Sequence, residues 1–115
     1  MKKIGDYLTI EELSAATISE AQENGRIRGV INGKLLYNTQ VKVLYMASLE
    51  LDGMEMHESF RMALEPDESQ FVLPEIAVFN PICSNDEKIG NYTLTLKIYA
   101  SGGVVHEFSS VVRFN

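Results

Sequence analysis

The sequence predicts a mainly β protein, an antiparallel β-sandwich of six to seven strands with one N-terminal helix in front. Three observations carry this reading. Apolar and polar residues alternate over long stretches, the period of a strand with one buried face. The phase of that alternation changes across Asp52-Gly53 but not across Ser101-Gly102-Gly103. Those are the behaviours that two-residue and three-residue hairpin loops require. Residues 9–24, in contrast, repeat at helical spacing.

In that first segment Ile10, Leu13, Thr17, Ile18 and Ala21 share one helical face, with Glu11, Glu12, Glu20 and Glu23 elsewhere. Thr9 and Glu12 match a capping box, and Asn24-Gly25 offers a left-handed C-cap. A competing reading makes residues 15–22 a strand and Asn24-Gly25 a hairpin turn. Residues 26–31 and 34–37, around Asn32-Gly33, read as a short hairpin.

The long hairpin follows. Val41, Val43, Tyr45, Ala47, Leu49 and Leu51 are odd; Met54, Met56, Phe60, Met62 and Leu64 are even. A type I′ turn at Asp52-Gly53 pairs Leu51 with Met54, Leu49 with Met56, Tyr45 with Phe60, Val43 with Met62 and Val41 with Leu64. Glu58, opposite Ala47, is the one charge on the inner face. It implies a local bulge there, or a buried carboxylate with a raised pKa. Residues 71–79 are apolar but contain Pro74, so this strand lies at an edge, is interrupted, or starts after the proline. The last hairpin alternates Tyr92, Leu94, Leu96, Ile98 and Ala100 with polar positions. It continues in the same phase through Val104, His106, Phe108, Ser110, Val112 and Phe114. A three-residue loop with Gly103 left-handed pairs Ala100 with Val104 and Leu96 with Phe108.

The stretch Gly90-Asn91-Tyr92-Thr93-Leu94-Thr95-Leu96 resembles the start of the next-to-last strand in immunoglobulin-like and fibronectin-like sandwiches. In those domains a tyrosine near that point hydrogen-bonds back to a preceding corner. The resemblance covers about the last 25 residues of this chain, without a Cys pair or a Trp. It implies a fold and no function.

At 115 residues the chain is one domain: a lead-in over 1–8, the helix over 9–24, the sandwich over 25–115. With 45% hydrophobic residues it is neither disordered nor membrane-spanning by composition. A net charge of −6 argues against a nucleic-acid partner. Lys2-Lys3 is followed by no apolar run, so a cytoplasmic location is expected, or a secreted one if a leader has been removed. The single Cys83 excludes an internal disulfide framework. Asn91-Tyr92-Thr93 matches a glycosylation sequon but reads more simply as a polar strand start.

No constellation of residues points to catalysis. His57 and His106 lie in different hairpins, and with Cys83 they lack zinc-ligand spacing. The acidic stretches Glu65-Asp67-Glu68 and Asp86-Glu87 read as solvated loops, with a calcium site at one end of the sandwich the alternative. No phosphate loop or nucleophile elbow is present. No cofactor or metal is therefore expected, and no enzyme. Met54, Met56 and Met62 have core parity, whereas Leu44, Met46, Tyr99, Val105 and Val111 have the outward parity. Those five are the candidate partner-binding residues, or the seat of the N-terminal helix. Residues 71–79 and 26–37 are candidate open edges.

The expected function is a non-enzymatic protein-binding module, acting through a sheet face or edge strand on a protein partner or a second copy. The alternatives are a structural or assembly component of a phage or bacterial surface apparatus, its helix packed across a neighbour, and a carrier of small apolar ligands.

Overall fold

The computed structural model describes residues 2–21, 27–78 and 91–113. Among these residues nine strands run in order: β1 (Lys2–Ile4), β2 (Leu8–Ala21), β3 (Ile27–Thr39), β4 (Val43–Leu51), β5 (Met54–Leu64), β6 (Gln70–Val72), β7 (Ile76–Val78), β8 (Asn91–Tyr99) and β9 (Val105–Arg113). They form two antiparallel sheets. The first has the order β1-β2-β3-β6, with β7 also on β3; the second has the order β5-β4-β8-β9. The expected mainly β architecture is there, with more strands than expected and with no α-helix among the described residues.

The N-terminal helix is thus corrected to a strand. β2 pairs along its whole length with β3, from Leu8↔Thr39 to Ala21↔Ile27. The reason for the helical look is a β-bulge. The register shifts between Ile10↔Tyr37 and Glu12↔Leu36, leaving Glu11 as an extra residue. Leu8 and Ile10 are buried before it, and Leu13 after it. The bulge moves the buried set from even to odd positions. The resulting Ile10-to-Leu13 spacing of three imitates one turn of helix. Residues 22–26, which include Asn24-Gly25, lie outside the described residues.

The short hairpin at Asn32-Gly33 is also corrected. Both residues lie mid-strand in β3, opposite Ala16 and Ala15. The buried set Ile31, Gly33, Leu35, Tyr37 and Thr39 keeps one parity straight through them, which a two-residue turn would have reversed. Gly33 has a different task. A Cβ there would lie 2.9 Å from Leu73 Cδ1, and the Gly33 carbonyl accepts a hydrogen bond from Leu73 N–H at 2.9 Å. Leu73 is buried between β6 and β7. Strand 71–79 is accordingly an interrupted edge: β6 and β7 both pair with β3, and Pro74 falls in the gap. β3 itself is central, between β2 and β6/β7, so its reading as an edge does not hold.

In the long hairpin the turn is as expected. Asp52 (φ 50°) and Gly53 (φ 84°) are both left-handed, and Leu51 pairs with Met54. Asp52 also ties the turn to β8: its Oδ1 accepts from Thr93 N–H at 2.8 Å, and its own N–H donates to the Thr93 carbonyl at 2.9 Å. Beyond the turn the register departs from expectation. Glu50 pairs with Glu55, Leu49 with His57 and Ala47 with Phe60, a shift of one residue at each step. The two shifts together restore parity, so Tyr45 meets Met62 and Val43 meets Leu64. They fall where Glu58 interrupts the apolar pattern and leave its side chain exposed. Val41 and Met54, expected inside, are exposed; Val41 lies in the bend before β4, and Met54 is the first residue of β5.

The last hairpin follows its pattern. Ala100 N–H donates to the Val104 carbonyl at 2.8 Å, Leu96 pairs with Phe108, and Gly103 has φ 77°. The two sheets face one another across one apolar cluster, to which Leu8, Ile10, Ile31 and Leu35 contribute from the first. Leu49, Met62, Leu64, Leu94, Leu96 and Ile98 contribute from the second. Each such side chain stabilises the fold by ~1.5–3 kcal/mol.

Two substitutions separate the roles of the glycines. Gly53→Ala places a side chain at positive φ and is expected to cost ~1–2 kcal/mol. Gly33→Val drives into Leu73 and is expected to cost ~1–3 kcal/mol. Urea unfolding reads both; a neutral Gly33→Val would contradict the mid-strand placement.

Candidate functional site

The outward face of the four-stranded sheet brings together most of the residues singled out by parity. Arg61 on β5 pairs with Met46 on β4, Met46 with Tyr99 on β8, and Tyr99 with Val105 on β9. The four form one row across the sheet. Leu44, opposite Ala63, lies two residues along β4 from Met46 and on the same face. Leu44 is 62% exposed, Met46 42%, Tyr99 42% and Val105 43%.

Tyr99 is held in place. Its hydroxyl lies 3.1 Å from Ser48 Oγ, so the ring leans across β4 from its cross-strand partner Met46 toward the next outward position. Ser48 is buried beneath it at 5% exposure despite its outward parity. A fixed aromatic ring with a satisfied hydroxyl loses little entropy when something docks on it.

Val111 does not join the group. It pairs with Thr93, toward the far end of the sheet, and a polar band lies between. Lys97 Nζ is 2.9 Å from Glu50 Oε1 and 3.6 Å from Glu107 Oε1. The hydrogen bond to Glu50 holds the Lys97 ammonium above the usual lysine range. Next come Thr95 Oγ1 and Ser109 Oγ, 3.2 Å apart. The face therefore has one apolar end bounded by paired charges, and Val111 is isolated beyond them.

Sequence reasoning missed Arg61 and Ser48. The expected register placed Arg61 opposite Leu44, and only the two bulges of β5 bring it into line with Met46. Ser48 carries no apolar signal at all. The same end of the sandwich also exposes Tyr7, Val41 and Val104. Here the turn after β1 reaches the second sheet, with Tyr7 and Tyr45 hydroxyls 3.2 Å apart. Gln40 N–H donates to the Tyr7 carbonyl at 2.9 Å and joins a third turn to them. On the far flank the buried Tyr37 closes the loop after β5. Its hydroxyl donates to the Glu65 carbonyl at 3.2 Å and accepts from Glu65 N–H at 3.1 Å.

The other candidate residues are scattered. His57 and His106 sit on β5 and β9, the opposite edges of the second sheet. His57 Nδ1–H donates to the Glu58 carbonyl at 2.7 Å, and its ring meets Phe60 edge-on at 5.9 Å. Glu65 is paired with Lys42 at 3.2 Å. Cys83, Asp86 and Glu87 lie outside the described residues. Among the described residues no group of three His, Cys, Asp or Glu is placed to hold a metal ion. Met62 is in the core, Met56 is half-buried against it, and Asn91 of the sequon is an exposed strand start.

No family model matches the chain, and no curated protein does. Among solved structures it is similar to the CARDB domain of a Pyrococcus furiosus protein, crystallised in complex with di-metal ions. That similarity has 13% identity and a TM-score of 0.41, over 93% of this chain and 90% of that one. A protein from Archaeoglobus fulgidus is similar at 13% identity and a TM-score of 0.44, over 92% and 94%.

The rim tyrosines give a pH signature. Burial, then the Tyr7 hydroxyl, push the Tyr45 phenol up to about 12 from an ordinary 10.0; burial also raises Tyr37. A raised phenol favours the folded state fully below the ordinary value, and that support is lost as pH climbs through the folded one. Stability is therefore expected to fall from pH 10 toward 12, and Tyr45→Phe to flatten the fall. Denaturant midpoints against pH, with phenolate absorbance, measure it; an unchanged slope in Tyr45→Phe would contradict the burial of this hydroxyl.

Proposed function

We propose that this chain is a non-enzymatic protein-binding module on an immunoglobulin-like sandwich, and that it binds through the apolar end of its four-stranded sheet. The observation that carries the reading is the in-register row of Met46, Tyr99 and Val105, flanked by Leu44, all exposed on one face of the sheet. Recognition surfaces are enriched in Tyr, Met and Arg, and central aromatic anchors dominate their energetics. Methionine adds a side chain that adapts to a partner's contour.

The immunoglobulin-like assignment draws support from topology. The order β5-β4-β8-β9 is that of strands C′-C-F-G, with β2 and β3 in the places of A and B. β8 then stands as strand F, with Tyr92 near its start. The assembly role rested on a helix packed across a neighbour. With residues 8–21 in β2, that motive is gone.

Photo-crosslinking tests the reading. A photoreactive residue at position 46 or 105 is expected to trap a discrete protein adduct in the native host, and one at position 111 none. Equal labelling from 46 and 111, or from Val72 on the first sheet, would overturn it.

A further inference from the structure

The charges that border the apolar row bear on the chemistry of its partner. Lys42, Arg61 and Lys97 are cations on or next to this face. Lys97 is already neutralised by Glu50 and Glu107, and Lys42 by Glu65. Arg61, exposed and directly opposite Met46, makes no ion pair or hydrogen bond among the described residues. Anything that covers Met46 and Tyr99 also strips water from the Arg61 guanidinium. A guanidinium desolvated without an acceptor is strongly unfavourable. A carboxylate meets it through two parallel hydrogen bonds, which strengthen as water leaves.

We propose that the occupant of this face is a polypeptide segment of another protein. It presents apolar side chains to Leu44, Met46, Tyr99 and Val105, and an Asp or Glu carboxylate to Arg61. The inference rests on the binding reading above and names its ligand class. Neighbouring strands are ~4.7–4.9 Å apart, so the row from β5 to β9 spans about 14 Å. A helix crossing it would carry the carboxylate about nine residues from its last apolar anchor; an extended segment would do so in about four. A second copy of this chain fits less well, because two chains each of net charge −6 repel.

A displayed random-peptide library selected on the intact protein is the test. Enriched peptides are expected to combine apolar residues with Asp or Glu. They should lose binding to Met46→Asp and weaken about tenfold on Arg61→Glu. Selection on Arg61→Glu should enrich Lys or Arg in place of the acid. Peptides that need Met46, carry no acid and ignore Arg61→Glu would overturn the carboxylate and leave the face intact. Peptides indifferent to both substitutions, or no enrichment at all, would overturn both. Light scattering showing a dimer that Met46→Asp dissolves would put a second copy in the partner's place and overturn the proposal.

Discussion

One constraint governs this fold: every strand has to deliver its apolar side chains to the same interior. Strand side chains alternate with period two, so a slip of one residue expels a whole set. The chain breaks its alternation in several places and mends each break locally. The Glu11 bulge turns β2 over midway, the I′ turn at Asp52-Gly53 turns the chain over between β4 and β5, and β5 shifts twice so that its parity returns. The three-residue loop after β8 leaves parity alone. With each buried aliphatic contributing ~1.5–3 kcal/mol, no other interaction in a chain of this size competes.

The same devices shape the face proposed to bind. The shifts of β5 set Arg61 beside Met46 instead of Leu44. They also interrupt the ladder of the edge strand, and Glu55, Glu58 and Arg61 line it with charge. Bulges and charges keep an edge from pairing with foreign strands. The face proposed to bind, where Tyr99 is pinned over Ser48, lies beside this edge.

Much of this was legible in the sequence. Where turn chemistry and apolar phase agree, at Asp52-Gly53 and at Ser101-Gly102-Gly103, the turns form as read, although beyond the first of them β5 shifts register twice and re-pairs Leu49, Tyr45 and Val43. Where the two disagree, turn chemistry alone misleads. Asn32-Gly33 has turn chemistry, yet Ile31, Leu35 and Tyr37 keep one parity across it; applying the phase rule there would have excluded the hairpin. The segment of β2 was harder. A bulged strand with Ile10 and Leu13 three apart, Thr9 before Glu12, and several glutamates satisfies helix rules as well as strand rules. Only its partner β3 decides between them. Of the outward residues, Leu44, Met46, Tyr99 and Val105 converge, because parity gives the face. Parity gives no position along the face, so it does not separate Val111 from the row, and a search for outward apolar residues does not pick out Arg61.

Cross-strand nuclear Overhauser contacts in solution test the phase-mending directly. The bulged pairing requires Ile10 to contact Tyr37, Leu13 to contact Leu35, and Leu49 to contact His57, with Glu11 unpaired. Sequential amide contacts typical of a helix through residues 9–23, or Leu49 in contact with Met56 in an unshifted ladder, would contradict it.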